Sequence, residues 1–307
     1  AESGEPKVVE KMADSLSKHG VNTFLPTLQC DETSFAQIAD ELNTNPRLKK
    51  YVEGIYLEGP FISYEKRGGI LPQNIRDVDI DKLKHLIDIS KGFLRMMTIA
   101  PELAQSEMLF RELLKSGIIP CFGHSNCNIE SITNGMCCGK RNMTHLFNAM
   151  SGISHKMPGL AMLPFFDREV FFELNSDGIH LNREIIKICY ENLNHDRLIL
   201  ITDAVISAGK KYGKYHYYDK AVISDENGVR YAENDVLIGS NCLFNNVLKR
   251  FIEFTKAPIE KAVRFATYNP CCLLGISDKK GSIEIGKVAD LLIVDKNIRL
   301  IRNLYAA

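Results

Sequence analysis

The chain has no excess of either charge. Lys and Arg number 38, Asp and Glu number 38, and the formal net charge is zero. That balance leaves no basic footprint for nucleic acid and no acidic tail. No run of about 18 apolar residues occurs, so neither a transmembrane helix nor a membrane partner is expected, and no signal-peptide pattern is visible. Nine cysteines are present, yet there is no Cys-x-x-Cys and no disulfide-framework spacing; Cys137–Cys138 and Cys271–Cys272 are simply adjacent. An odd set of unpatterned thiols reads as reduced cysteine in a cytoplasmic protein, and thiolate metal binding is not expected. Low-complexity segments and solenoid-length repeats are lacking. His-Glu-x-x-His is lacking too, so a metal site would have to be assembled from distant parts of the chain.

What is present is an ordinary globular composition, 45% hydrophobic and 25% charged over 307 residues. This length suits one large barrel or two ordinary domains. Short apolar runs alternate with amphipathic stretches. Strands are expected near 22–28 (ended by Pro26 and the polar cluster after it), 54–58, 95–100, 118–123, 142–145, 169–174 and 198–202. Between them, helical spacing covers 5–19, 34–42, the region of Leu83–Ile87, 108–114 and 183–193, with a short helix over 129–135 capped by Asn128. Helices over 242–255 and 259–268 close the alternation. Residues 61–78 and 148–165 lack a period, and Lys66-Arg67-Gly68-Gly69 reads as a loop over a site. Residues 208–235 are polar and aromatic, with hairpins around Asn227-Gly228. The last stretch differs: 281–286, 289–294 and 298–304 read as strands without helices, a small β appendage.

Repeated strand–helix units argue for parallel β structure. A doubly wound sheet tolerates seven strands. The strand ends favour a (β/α)8 TIM-type barrel, because there catalytic residues gather at the C-terminal ends of several strands. Five runs stop at, or lead to, a chemically useful residue: Glu58, His124, His145, His180 and Asp203.

Glu58, His124 and His145 are one carboxylate and two imidazoles, a set that suits a divalent ion such as zinc with a position left open. The plainer alternative for each histidine is a hydrogen-bonded core residue. Glu58 is the stronger case, since a carboxylate buried after Ile55-Tyr56-Leu57 is costly unless paired or metal-bound. Asp203 is a candidate general base, or else a helix cap. His180 could hydrogen-bond a developing oxyanion, or be a turn histidine. Asp177 would orient a neighbour. His155 and Lys156 offer a cationic site for an anion such as phosphate, against an ordinary solvated charge. Asn148 could bond a polar ligand, and Lys66 and Arg67 read as surface charge.

The motifs Leu57-Glu58-Gly59-Pro60-Phe61, Ala100-Pro101-Glu102, Gly123-His124-Ser125-Asn126, Thr144 to Met150, Asp177-Gly178-Ile179-His180 and Thr202-Asp203-Ala204 occur in that order. Together with the tail from Gly281 to Leu291 they resemble the N-acetylglucosamine-6-phosphate deacetylases of the amidohydrolase superfamily, over nearly the whole chain. The resemblance implies a (β/α)8 barrel with a small β-sandwich built from both chain ends, here divided as 1–276 and 277–307. It implies one divalent metal on Glu58, His124 and His145, zinc first, with iron or another divalent ion as alternatives. It implies Asp203 as base and then acid, His180 on the substrate amide oxygen, and Asn148 with Ala149 on a phosphorylated N-acetyl amino sugar. It further implies a homodimer in which Lys156 reaches the partner's phosphate site.

Three departures accompany the likeness. The family's first barrel strand, with its His-x-His, would precede Ala1, so the first strand and half of the sandwich are expected to be absent from this chain. Ile70 stands where the family often has His, a lost sugar or phosphate contact. Lys156, in Ser154-His155-Lys156-Met157-Pro158-Gly159, replaces an Arg, keeping charge but losing bidentate geometry. The expected activity is hydrolysis of N-acetyl-D-glucosamine 6-phosphate to D-glucosamine 6-phosphate and acetate. The rivals are an amidohydrolase for another amide or a cyclic ureide, and a non-catalytic chain that keeps the sugar-phosphate site.

Overall fold

Parallel strands occur in chain order, each followed by segments that cover its faces. A computed structural model describes residues 7–132 and 134–304 and divides the chain into two compact units, 1–144 with 149–163, and 145–148 with 164–307.

The first unit begins with α1 (Val8–Lys18), which buries Val9 and Ala13 one turn apart, and β1 (Thr27–Gln29). In α2 (Glu32–Thr44) the Asp31 side chain accepts the Ser34 N–H, and the helix buries Phe35, Ile38, Ala39 and Leu42 on one stripe. Next come β2 (Ile55–Glu58) and α3 (Ile80–Ile89), which Asp79 caps at the Lys82 N–H. The unit continues with β3 (Leu94–Ile99), α4 (Ser106–Lys115), β4 (Ile119–Phe122) and β5 (Asn142–Met143). Pairing is parallel at each step, with Leu28 opposite Leu57, Leu57 opposite Met97, Met97 opposite Pro120 and Phe122 opposite Met143. Near-continuous burial of these strands, with β4 buried at all four positions, is the pattern of a parallel sheet covered on both faces.

A short helix, α5 (Leu163–Phe166), follows. In the second unit β6 (Phe171–Asn175) is buried at every position and pairs parallel with β7 (Leu198–Ile201). Between them lies α6 (Arg183–Asn192), capped by Asn182 at the Glu184 N–H. Then β8 (Gly213–Tyr217), β9 (Lys220–Asp225), β10 (Gly228–Tyr231) and β11 (Leu237–Gly239) form an antiparallel sheet in the order β11-β10-β9-β8. Helices α7 (Phe244–Thr255), α8 (Ile259–Ala266) and α9 (Tyr268–Leu274) follow. Buried Asn269 of α9 donates to the carbonyls of His195 and Leu198, each at 2.7 Å, and so ties that helix to β7. A last hairpin pairs β12 (Leu292–Val294) with β13 (Leu300–Asn303). No helix among the described residues is long and apolar enough to cross a membrane.

Four expectations change. The first strand lies after Pro26 rather than before it: the Pro26 carbonyl accepts the Tyr56 N–H, whereas Phe24 makes only an isolated bridge with Val52. Over 129–135 there is a single 3-10 turn, Ile129–Ser131, with the expected Asn128 cap, then another turn at Asn134–Met136; Thr133 lies outside the described residues, as do Glu5 and Pro6 of the first expected helix. Residues 281–286 form turns and bends, not a strand, with Ile283 and Ile285 fully exposed. Helix α9 was not expected, because Pro270 sits inside it; at its first turn the missing N–H costs nothing.

Gly123, just before His124, has a steric reason: a Cβ there would meet the Thr144 Cβ at 2.7 Å and its Oγ1 at 3.0 Å. Gly123→Ala is expected to destabilise the protein by about 1–3 kcal/mol through overpacking. A thermal melt checks this; an unchanged midpoint would mean that the two strand ends can separate freely.

Candidate active site

Three of the candidate residues follow a strand end at which the backbone turns sharply. His124, His145 and Asp203 have φ of 46°, 28° and 49°. This left-handed region is unusual for side-chain-bearing residues and clusters at functional sites.

In the first unit Glu58 ends β2. Its Oε1 lies 3.7 Å from His124 Nε2, and the side chains are 17% and 5% exposed. His124 Nδ1 is 2.9 Å from the Lys66 carbonyl. A carbonyl only accepts, so Nδ1 carries a hydrogen, and in the neutral ring the Nε2 lone pair points toward Glu58. The expected loop over a site is therefore a brace of one, since the Ser63 N–H also donates to the His124 carbonyl at 2.8 Å. That loop is anchored at its far end by Gln29, a buried amide that accepts from the Leu71 N–H and from Asn74. Within this unit the hydroxyls of Tyr56, Thr98 and Thr144 bond one another at 2.7–3.3 Å, a buried polar floor next to the strand ends. Ile70, the departure from the family, is buried and takes part in packing.

The chain offers one carboxylate, Glu58, and two imidazoles, His124 and His145, as a candidate donor group. In the first unit Glu58 Oε1 and His124 Nε2 face each other at 3.7 Å, an arrangement that a proton or a metal between them would satisfy. The set of one oxygen and two imidazole nitrogens is a donor set for a divalent ion, so the residues present fit one.

In the second unit the His145 N–H donates to Glu173 Oε2 at 3.1 Å and the Leu146 N–H to the Glu173 carbonyl at 2.8 Å. Asp177 wraps the turn that presents His180: Oδ1 accepts the N–H groups of Ile179 and His180, and Oδ2 accepts His180 Nδ1–H at 2.7 Å. On the other side of the ring, Nε2 faces Asp203 Oδ2 at 3.4 Å. Asn175 joins the two, accepting the Asp177 N–H and donating to the Thr202 carbonyl at 2.8 Å. Burial works against a charged ring, yet hydrogen bonds and charge from Asp177 and Asp203 outweigh it and push His180 up to about 9. Burial likewise opposes ionised Asp177, but His180 and two backbone N–H groups hold it below the usual carboxylate value. Asp203 is 31% exposed and able to meet a ligand, while its carbonyl accepts the Ser240 N–H at 2.7 Å.

Asn148 is half-buried and turns its amide back to the carbonyls of His145 and Leu146. Ala149 is left-handed, φ 48°, and its carbonyl accepts the Ser125 N–H at 3.2 Å. His155 and Lys156 stand exposed, outside both hydrogen-bonded groups. Sequence reasoning missed Gln29, Glu173 and Asn175. For Glu173 the signal, a carboxylate inside an apolar run, was there to be found; Gln29 and Asn175 each end a strand and carry no such mark.

Parallel strands with polar, sharply turned ends, a donor set for a divalent ion and a buried His–Asp pair define a metal-dependent hydrolase of the barrel class. The chain belongs to the amidohydrolase family, whose pattern it matches over residues 6–306. It is 32% identical over 301 residues to an N-acetylglucosamine-6-phosphate deacetylase of Bacillus subtilis, covering 94% of this chain and 75% of that one. To the deacetylase of that name from Bos taurus it is 30% identical over 305 residues, covering 95% and 74%. The structure resembles that of a mutant N-acetyl-D-glucosamine-6-phosphate deacetylase from Mycobacterium smegmatis in complex with N-acetyl-D-glucosamine 6-phosphate, with a TM-score of 0.90 at 25% identity over 98% of this chain and 80% of that one. The fold class is thus the (β/α)8-type barrel with a small β-sheet domain.

The two carboxylates around His180 make its protonation a testable property. Its raised value contributes stability that is complete below about 6.5 and lost as pH rises through about 9. Asp177→Asn is expected to bring the ring back toward the ordinary histidine value in metal-free protein, read by NMR titration, and to flatten that loss of stability. A ring that still titrates near 9 in the variant would remove Asp177 as the cause.

Proposed function

We propose that this chain is a metal-dependent deacetylase that hydrolyses N-acetyl-D-glucosamine 6-phosphate to D-glucosamine 6-phosphate and acetate. The observation that carries the reading is the pairing of His180 Nε2 with Asp203 Oδ2 at 3.4 Å, an acid–base couple, in a chain that also carries the Glu-His-His donor group. The substrate follows the names of the relatives reported above.

Glu58, His124 and His145 would hold the ion, which we take to be zinc on the strength of the two imidazoles and one carboxylate. A divalent ion there supplies Lewis-acid polarisation of the amide and a water of lowered pKa. Asp203 takes the proton of the attacking water. His180, charged and held by Asp177, donates from Nε2 to the amide oxygen as it gains negative charge. Asp203 then gives its proton to the departing amine nitrogen, and the carbon–nitrogen bond breaks. Asn148 and the turned backbone at Ala149 offer polar groups to the sugar, and His155 with Lys156 offers charge to its phosphate. Lys156 is exposed on a segment that also exposes Ile153 and Met157, which supports a homodimer in which it serves the partner's site. Nine cysteines, all free, support a cytoplasmic location. Residues 277–307 we read as the β appendage, in keeping with the two-stranded pairing of β12 and β13.

Acetate release from N-acetylglucosamine 6-phosphate, its N-acetylgalactosamine epimer and the unphosphorylated sugar, with chelator and with added zinc, tests the reading. Release should require both metal and phosphate. Asp203→Asn should lower turnover by about 10²–10⁴-fold while zinc stays bound. Metal loss in that variant, or near-normal turnover, would remove Asp203 from the role.

A further inference from the structure

The Ala100-Pro101-Glu102 motif plays no part in the chemistry above, yet its carboxylate is fully engaged. Glu102 Oε2 accepts the Ser125 hydroxyl at 2.6 Å and Oε1 accepts the Asn126 N–H at 2.6 Å. Ser125 Oγ in turn accepts the Cys127 N–H at 3.1 Å. One half-buried carboxylate, just past the end of β3, therefore fixes the three residues that follow His124. Bonds this short, from an acceptor with no hydrogen of its own, are of the charge-assisted kind.

His124 is where such a hold is needed. Its φ of 46° is a conformation that a side-chain-bearing residue keeps only when its surroundings impose it. The loop before it does half of this. The Ser63 N–H bonds the His124 carbonyl, the Lys66 carbonyl takes the ring Nδ1–H, and Glu65 Oε2 accepts the Asn126 amide at 2.9 Å. Glu102 does the other half from the opposite side of the same turn. Without it Ser125 keeps its backbone bonds with Ala149 and Ser151 and Asn126 its bond to Glu65, but the Ser125 hydroxyl and the Asn126 N–H lose their acceptor, and the turn at His124 loses that part of its support.

We propose that Glu102 is a positioning residue of the metal site. It holds His124 in the left-handed turn from which Nε2 faces Glu58, and so sets metal affinity while touching neither ion nor substrate. The inference rests on the proposed role of His124 as a ligand. Residues that orient a metal ligand commonly govern affinity in this indirect way.

The test is an equilibrium zinc titration of metal-free protein against a chromophoric chelator, with a thermal melt of each sample. Wild type is compared with Glu102→Ala, Glu102→Gln, Ser125→Ala and His124→Ala. Glu102→Ala is expected to weaken zinc binding by about 10–100-fold. Ser125→Ala, which removes one of the two bonds, and Glu102→Gln, which keeps one acceptor oxygen, should weaken it less. A purely structural Glu102 would lower the melting midpoint and leave zinc affinity unchanged, which overturns the proposal. If Glu102→Ala does not fold, unchanged affinity in both milder variants overturns it equally. Failure of the underlying reading looks different: wild type would bind no zinc, or His124→Ala would bind it as tightly as wild type.

Discussion

A side chain just past the end of a buried strand is turned off the strand direction only where the backbone bends at once. Three candidate residues, His124, His145 and Asp203, leave the strand direction by adopting left-handed φ. Each such residue costs about 1–3 kcal/mol, so the turns survive only where hydrogen bonds fix the groups on either side. The structure supplies them every time. The His124 carbonyl accepts from Ser63, the N–H groups of His145 and Leu146 are held by Glu173, and the Asp203 carbonyl accepts from Ser240. Glycine would remove the strain but also the side chain, so the cost is inseparable from the function.

The same constraint explains Gly123, Thr144 and the hydroxyl floor. Thr144 must pack directly against the backbone before His124, which leaves no room for a Cβ at 123. Its hydroxyl closes a bonded group with Tyr56 and Thr98, so three polar atoms sit in a dry interior with their partners supplied from one another. Tyr56 is two residues before Glu58 and on the same face of β2, and Thr144 is one residue before His145. The bonded hydroxyls thus fix side chains close in sequence to Glu58 and to His145.

The strand ends were legible because burial is a composition signal: an apolar run that stops at Glu, His or Asp is visible without any structure. Hence the positions of Glu58, His124, His145, His180 and Asp203 at strand ends or in the turns just after them follow from the sequence. The braces were not legible in the same way. Glu102 and Gln29 act through backbone groups in loops without period, and nothing in the identity of Ser125 or Leu71 announces who holds it. Pro26 misled for a related reason. Proline lacks a donor but keeps its carbonyl, and here that carbonyl opens the pairing of β1 with β2 rather than ending a strand. The 281–286 stretch alternates like a strand, but alternation makes a strand only where a partner edge is at hand, and here Ile283 and Ile285 face solvent.

The different roles proposed for two histidines of one chain follow from partners that differ in kind. His124 meets a carbonyl at Nδ1, an acceptor without net charge that fixes which nitrogen carries the hydrogen and leaves the other as a ligand. His180 meets a carboxylate at the same atom, and a second carboxylate faces its other nitrogen. Two negative charges outweigh the burial that would otherwise discharge the ring, so His180 is held as a cation with a hydrogen on each nitrogen. A lone pair suits a metal; a hydrogen suits an oxygen gaining negative charge. The proposed division between holding the ion and stabilising the reacting oxygen therefore rests on the residues behind each ring, a backbone carbonyl at Lys66 and a side-chain carboxylate at Asp177. The ring alone does not reveal it.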